Sequence, residues 1–257
     1  MNLDEIAVLL GKQVEEHPFN TVNKEGIKIN KIFDRPLVKV ADAADPLFSE
    51  FKNPEVIGRH HLLPAEWLQG ARTVVSYFLP FSLQVRKANR SAGWPAREWV
   101  YARIEGEEFN NHLRGFLINK LKDAGGRAMA PILEKEFRIA SNLRSNWSER
   151  HAAYVTGLGT FSLSRNMITP KGCAGRYGSV ITDLDLGKSI REYTQIEEYC
   201  TMCGKCVDRC PSGAITMEGK DLQVCNSYIE NNIKPRFKPR YGCGKCQVDV
   251  DCESSIP

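Results

Sequence analysis

Nine cysteines are the residues best equipped for chemistry in this 257-residue chain, and eight of them fall between positions 200 and 252. The run Cys200-Thr-Met-Cys203-Gly-Lys-Cys206-Val-Asp-Arg-Cys210-Pro211 has the spacing C-x2-C-x2-C-x3-C-P, which holds [4Fe–4S] cubanes in two-cluster proteins. A cubane takes thiolates on separate iron corners, and two-residue gaps let one tight loop supply three of them. The fourth cysteine is expected to open a helix and to serve a second cluster. Pro211 suits a first helical position, where no N–H is needed. Cys225, Cys243, Cys246 and Cys252 supply the remaining ligands. The expected sets are Cys200, Cys203, Cys206 and Cys252 for one cluster, and Cys210, Cys225, Cys243 and Cys246 for the other.

The alternative is zinc, because Cys203/Cys206 and Cys243/Cys246 are both C-x2-C pairs. One structural zinc takes four thiolates and leaves four without a role, whereas two cubanes use all eight. A disulfide framework fits poorly with a start, MNLDEIAVLLGKQVEEH, that has no basic segment, twin arginine or small-residue cleavage site. The most apolar stretch, Val74 to Phe81, is shorter than the roughly 20 residues of a membrane helix. These features predict a cytoplasmic protein with no membrane partner. Lys234, Arg236, Lys238 and Arg240 form a basic run that reads either as a solvated loop or as a docking patch for an electron donor or RNA.

The elements that position these cysteines follow from periodicity. With 42% hydrophobic and 26% charged residues and a net charge of +4, the chain has the composition of a folded globular protein, and its charge alone does not argue for a nucleic-acid binder. Helical spacing marks Asp4–Val14, a long helix over Pro95–Asp123 ended by Gly125-Gly126, and a helix over Ser148–Thr156. Strands are expected at Gly26–Ile32, Leu37–Ala41, Arg72–Phe78, Arg127–Ala130 and Ser179–Thr182. The mixture predicts an α+β sheet domain over residues 1–190, followed from 191 to 257 by a Cys-, Gly- and Lys-rich cluster domain. Cys173 is left over, and a packed, inert thiol is its default reading.

Glu149-Arg150-His151-Ala152-Ala153-Tyr154-Val155-Thr156-Gly157-Leu158-Gly159 resembles a segment of epoxyqueuosine reductases and corrinoid reductive dehalogenases. The resemblance continues through Asn166-Met167-Ile168-Thr169-Pro170, Gly178-Ser179-Val180-Ile181-Thr182-Asp183-Leu184 and the double-cluster tail with its Cys225-Asn-Ser-Tyr element. It implies a nitroreductase-like, mixed-sheet domain that binds cobalamin and a ferredoxin-like domain with two [4Fe–4S] clusters. Reduced ferredoxin or flavodoxin would be the electron donor. On the resemblance, His151, Ala152, Gly157, Leu158, Gly159, Thr160, Phe161, Ser162, Arg165, Asn166, Gly178, Ser179 and Val180 are expected to border the cofactor. By itself the Gly157-Leu158-Gly159 turn is also what a helix C-cap needs.

The chain departs from the family where tRNA-directed members carry an Asp before the Glu-Arg pair: Leu143, Arg144, Ser145 and Asn146 stand there. Thr160 to Arg165 replace the glycine and the basic residue that follow Gly-Leu-Gly in the family. The sequence shows neither the C-terminal helical repeats of full-length epoxyqueuosine reductases nor the twin-arginine start of dehalogenases. Reduction at cobalt needs a proton, and Tyr101 and Tyr154 are the candidate donors, with His151 and Glu149 behind them; each tyrosine also reads as a core aromatic. The expected activity is a cobalamin-dependent reduction of a small molecule or modified nucleoside. The alternatives are a shortened epoxyqueuosine reductase acting on tRNA and a non-catalytic electron-transfer or corrinoid-reducing protein.

Overall fold

The computed structural model describes residues 1–257. At its centre lies a four-stranded sheet in the order Leu37–Asp42, Thr73–Pro80, Gly175–Thr182, Ala128–Met129. All three pairings are antiparallel, which corrects the mixed sheet expected. Thr73–Pro80 and Ala128–Met129 both run antiparallel to Gly175–Thr182, which lies between them, and the long helix Arg97–Asp123 connects the two.

The strand Thr73–Pro80 is buried along its whole length, because helices cover both faces of the sheet. Alternate residues Val75, Tyr77 and Leu79 pack with Val180 against Phe109, Leu113 and Leu117 of the helix Arg97–Asp123, and against Ile6 and Leu10 of the helix Leu3–Glu16. Val74 and Ile181 point the other way, onto Ala152 and Val155 of the helix Glu149–Thr156. The period-two alternation of a strand thus feeds two cores, and the TVVSYFLP run reads as continuously apolar for that reason.

Local signals set the helix ends. Asn2 and Glu5 form a reciprocal capping box on the first helix, and Ser148 caps Glu149–Thr156. The long helix stops at Asp123, followed by Gly125 at φ +89°. The strand Gly175–Thr182 begins four residues earlier than the Ser179 expected from sequence.

The cysteine-rich segment has little regular structure: short helices at Lys205–Asp208 and Leu222–Tyr228 and a two-residue hairpin between them. Pro211 lies in a turn, not at the start of a helix. Several buried ties fasten this segment to the preceding chain. The Lys245 ammonium donates to the carbonyls of Asn89 (3.1 Å) and Ser91 (2.7 Å). Glu253 pairs with Arg86 and Arg90, and the backbone of Cys173 and Ala174 donates to the carbonyls of Cys252 and Glu253.

Candidate iron–sulfur site and adjoining cleft

Eight cysteines surround two cavities. Cys200, Cys203, Cys206 and Cys252 line the first together with Ser162, Ile168, Met202 and Val250. Cys210, Cys225, Cys243 and Cys246 line the second with Trp99, Arg103, Asn166 and Gln247. The chain thereby brings together the two sets expected from spacing, including Cys252 with a loop about fifty residues earlier. No three His, Cys, Asp or Glu side chains converge closely enough for a single ion. The thiols stand around cavities, as a multi-iron cluster requires and one zinc does not. Left-handed residues shape the loops: Met202 at φ +54° between Cys200 and Cys203, Gly204 at φ +77° between Cys203 and Cys206, and Gly244 at φ +64° between Cys243 and Cys246. Gly244 is obligatory for a further reason, since a Cβ there would lie 2.0 Å from the Trp99 indole.

A third, polar cleft of about 290 Å³ adjoins the second cavity and shares Asn166, Gly175, Arg176 and Gln247 with it. Its other walls include Glu107, Arg114, Glu149, Arg150 and Tyr177. Arg114, 1% exposed, donates to Glu107 at 2.8 Å, to Glu149 at 3.1 Å and to the Tyr177 carbonyl at 3.0 Å. Arg176 also pairs with Glu107. Burial pushes the Glu149 carboxyl up from its ordinary value, against the opposing pull of Arg114 and the Ser179 hydroxyl. Glu107 goes the other way: burial opposes its charge, but Arg176 and Arg114 together hold its carboxyl low. Two polar atoms of cleft residues have no partner, the Nε of Arg114 and the Oε1 of Gln247.

Of the residues expected to border a cofactor, Asn166 faces both the second thiol cavity and the cleft, and Ser162 lines the first cavity. Most of the others belong to the packed interior. Ala152, Leu158, Thr160, Ser179 and Val180 are buried in the core. A Cβ on Gly157 would meet the Ile190 carbonyl at 2.9 Å, one on Gly159 the Ile168 carbonyl at 2.0 Å, and one on Gly178 the Tyr77 ring at 2.2 Å. These glycines admit the chain's own atoms, so the Gly157-Leu158-Gly159 turn is a helix C-cap packed against backbone. His151 and Phe161 pack on each other at 4.9 Å, and Arg165 contributes its carbonyl to Arg150 at 2.5 Å.

The proposed tyrosine proton donors also lie outside the cleft. Tyr101 donates to Glu25 and lies under the Arg240 guanidinium, 3.7 Å from its ring centre. Tyr154 packs with Phe78, Leu158 and Tyr193. Both are core aromatics by position. Asn146, in the stretch where tRNA-directed relatives carry an Asp, is committed to the Arg138 N–H and the Glu136 carbonyl. The basic run divides in two. Arg240 is buried against Glu105 and Glu25, and Lys234 pairs with Glu230, whereas Arg236 and Lys238 are exposed beside Trp94.

Glu107, Arg114, Arg176 and Gln247 were not expected at the site. The available signal was the polar stripe Asn110 and Arg114 within the otherwise apolar face Phe109, Leu113 and Leu117 of the long helix; a buried arginine there calls for acidic partners.

Residues 193–216 match the family described as a 4Fe-4S binding domain. The epoxyqueuosine reductase of Bacillus subtilis (strain 168) is 27% identical over 219 residues, covering 78% of this chain and 52% of that protein. The chain thus spans about half the length of the curated relatives it matches. Among solved structures, an epoxyqueuosine reductase from Bacillus subtilis superposes with a TM-score of 0.55 at 18% identity, over 98% of this chain and 65% of that one. A catabolic reductive dehalogenase superposes with a TM-score of 0.57 at 15% identity, over 82% of this chain and 29% of that one. No helix is long and apolar enough to cross a membrane. In sequence the chain is similar to epoxyqueuosine reductases, and it shares its fold with solved epoxyqueuosine reductases and reductive dehalogenases.

Proposed function

We propose that the chain is an iron–sulfur oxidoreductase that passes electrons through two [4Fe–4S] clusters to a corrinoid bound over the mouth of the polar cleft. The observation that carries this reading is the partition of eight thiols between two cavities, the second of which shares a wall with the cleft. In this reading residues 1–190 supply most of the cleft and residues 191–257 the cluster ligands.

The cleft chemistry suits such a group. Gln247 Oε1 is an acceptor without a donor, Arg114 Nε is a donor without an acceptor, and the peripheral carboxamides of a corrinoid offer both. When bound, the corrinoid supplies a low-valent cobalt centre able to reduce a substrate. The chain's own residues do the rest. Cys203 brings the first cluster to the exposed edge, where a reduced ferredoxin or flavodoxin would deliver electrons. Asn166 and Gln247 form the wall between the second cluster and the cleft. Arg150 and Arg176 orient anionic or amide groups there, and Glu149 is the cleft carboxyl placed to relay the proton that a reduced substrate takes up. Tyr101 and Tyr154 have no part in this assignment. The substrate class is a small molecule or a modified nucleoside, and a tRNA-borne epoxyqueuosine is the narrower candidate suggested by the relatives' names.

The test is anaerobic reconstitution with iron, sulfide and cobalamin, followed by metal analysis and EPR. The reading expects about eight irons per chain and stoichiometric cobalt. Iron without retained cobalt would leave an electron-transfer protein in its place, and stoichiometric zinc without labile sulfide would overturn the cluster assignment. Restoration of queuosine in a strain lacking the reductase would identify the tRNA substrate.

A further inference from the structure

The ninth cysteine lies against the first cluster cavity. Cys173 is 2% exposed, and its Sγ stands 3.7 Å from the Sγ of Cys252 and 3.7 Å from the Gln247 carbonyl. Its position is fixed by backbone as well as by packing. The Cys173 N–H donates to the Cys252 carbonyl at 2.9 Å, and the Ala174 N–H to the Glu253 carbonyl at 3.3 Å. The two segments run so close that a Cβ on Gly172 would fall 2.3 Å from the Glu253 carbonyl oxygen and the Ser254 nitrogen. Ile168 and Val250 complete a small apolar nest around the thiol, against which Cys200, Cys206 and Cys252 also pack.

We infer that Cys173 is a positioning residue for the cluster on Cys200, Cys203, Cys206 and Cys252: its S–H donates to the Cys252 thiolate and raises the reduction potential of that cluster. The inference rests on the iron–sulfur part of the proposed function and not on the corrinoid. A ligating cysteine is deprotonated, so in the Cys173–Cys252 pair only Cys173 has a proton to donate, and a charged thiolate is a stronger acceptor than the neutral Gln247 carbonyl at the same 3.7 Å. Hydrogen bonds to cluster sulfurs are among the factors that set the potential. Reduction adds negative charge to the cluster and its thiolates, and a donor stabilises that charge more in the reduced state than in the oxidised one. The thiol is 2% exposed and packs on Ile168 and Val250, which strengthens a bond that in water would be weak. Cys173 also lines the polar cleft, so the residue that tunes the first cluster lies on the path between the exposed edge and the reaction site.

The experiment compares the reconstituted full chain with Cys173→Val and Cys173→Ser, using iron content and EPR-monitored redox titration. Valine keeps the apolar packing and removes the donor; serine keeps a donor. The expected result is about eight irons in all three proteins, one of the two midpoint potentials lowered in Cys173→Val, and that potential restored or raised in Cys173→Ser. The other midpoint stays in place throughout. A Val variant with full iron and both potentials unchanged would overturn the inference while leaving the cluster reading intact, as would equal shifts in Val and Ser. A wild-type chain that takes up no iron would overturn both.

Discussion

The side-chain amide of Asn166 donates to the Cys246 thiol across 3.4 Å while its oxygen accepts from Gln247 at 3.2 Å. The amide is also held by Ser164 at 2.9 Å, so its orientation is determined on three sides. The chain therefore offers a neutral donor to the cysteine set on the cleft side of the site. Replacing Asn166 with Leu should lower the potential of the second cluster without loss of iron. Redox titration of the reconstituted protein checks this, and an unchanged potential would show that the amide only closes the cavity wall.

The two cysteine sets should be separable. Cys225→Ala removes a ligand from the second cavity alone, and iron should fall from about eight to about four per chain with the first cluster's EPR signal retained. Cys200→Ala should do the converse. Complete loss of iron from either variant would mean that the two sites assemble as one unit.

Glu253, 4% exposed, anchors the cluster segment to Arg86 at 2.8 Å and Arg90 at 2.7 Å. Burial opposes its charge, but Arg90, the Asp249 N–H and Arg86 outweigh it and hold the carboxyl below its ordinary value. Such a group stabilises the fold above the ordinary glutamate range, and that contribution disappears as pH falls through the lowered value. Glu253→Ala leaves two arginines without their carboxylate, one of them largely buried, and should cost about 3 kcal/mol, read as a lower urea midpoint at neutral pH. The deficit should shrink on acidification.

Two histidines, His61 buried and His151 half-buried, add to the acid limit by gaining charge where Glu253 loses it. His61 is 1% exposed and stacks on Trp147; burial, then His60 and Lys52, push its pKa down to about 4. Burial and then Arg150 push His151 down to about 3. Both are neutral in the fold and would charge in the unfolded chain near pH 6.5. Stability is therefore full above that value and lost as pH falls from 6.5 towards 4, by up to about 1.4 kcal/mol per pH unit for each histidine. Chemical denaturation at pH 7.5, 6.0 and 5.0 should show the decline, and His61→Phe should flatten it.

Glycines give a matched test of packing. A Cβ on Gly159 would sit 2.0 Å from the Ile168 carbonyl, whereas one on Gly115, inside the long helix, would meet nothing within 4 Å. Gly115→Ala should stabilise the chain by about 0.5–1 kcal/mol. Gly159→Ala should prevent folding or sharply lower the melting temperature. Similar thermal midpoints for the two variants would refute the close approach.

Cysteine spacing alone was enough to anticipate that the eight thiols divide between two cavities, four to each, because a cubane fixes how far apart its thiolates can lie on a loop. Periodicity likewise anticipated the long helix, the central strand and the helix Glu149–Thr156, since one buried face must repeat at the period of its element. The cleft was not legible in this way. Glu107 and Arg114 share the long helix, but Glu149, Arg176 and Gln247 come from separate stretches of chain, and only the antiparallel pairing of Gly175–Thr182 with Thr73–Pro80, the long helix laid across that sheet and the docking of the cluster segment bring them together. The same fold sets backbone or a ring where Gly157, Gly159 and Gly178 lack a Cβ. A glycine that admits a ligand and one that admits a neighbouring backbone are identical in sequence, and what occupies the space of the missing Cβ is a property of the folded chain.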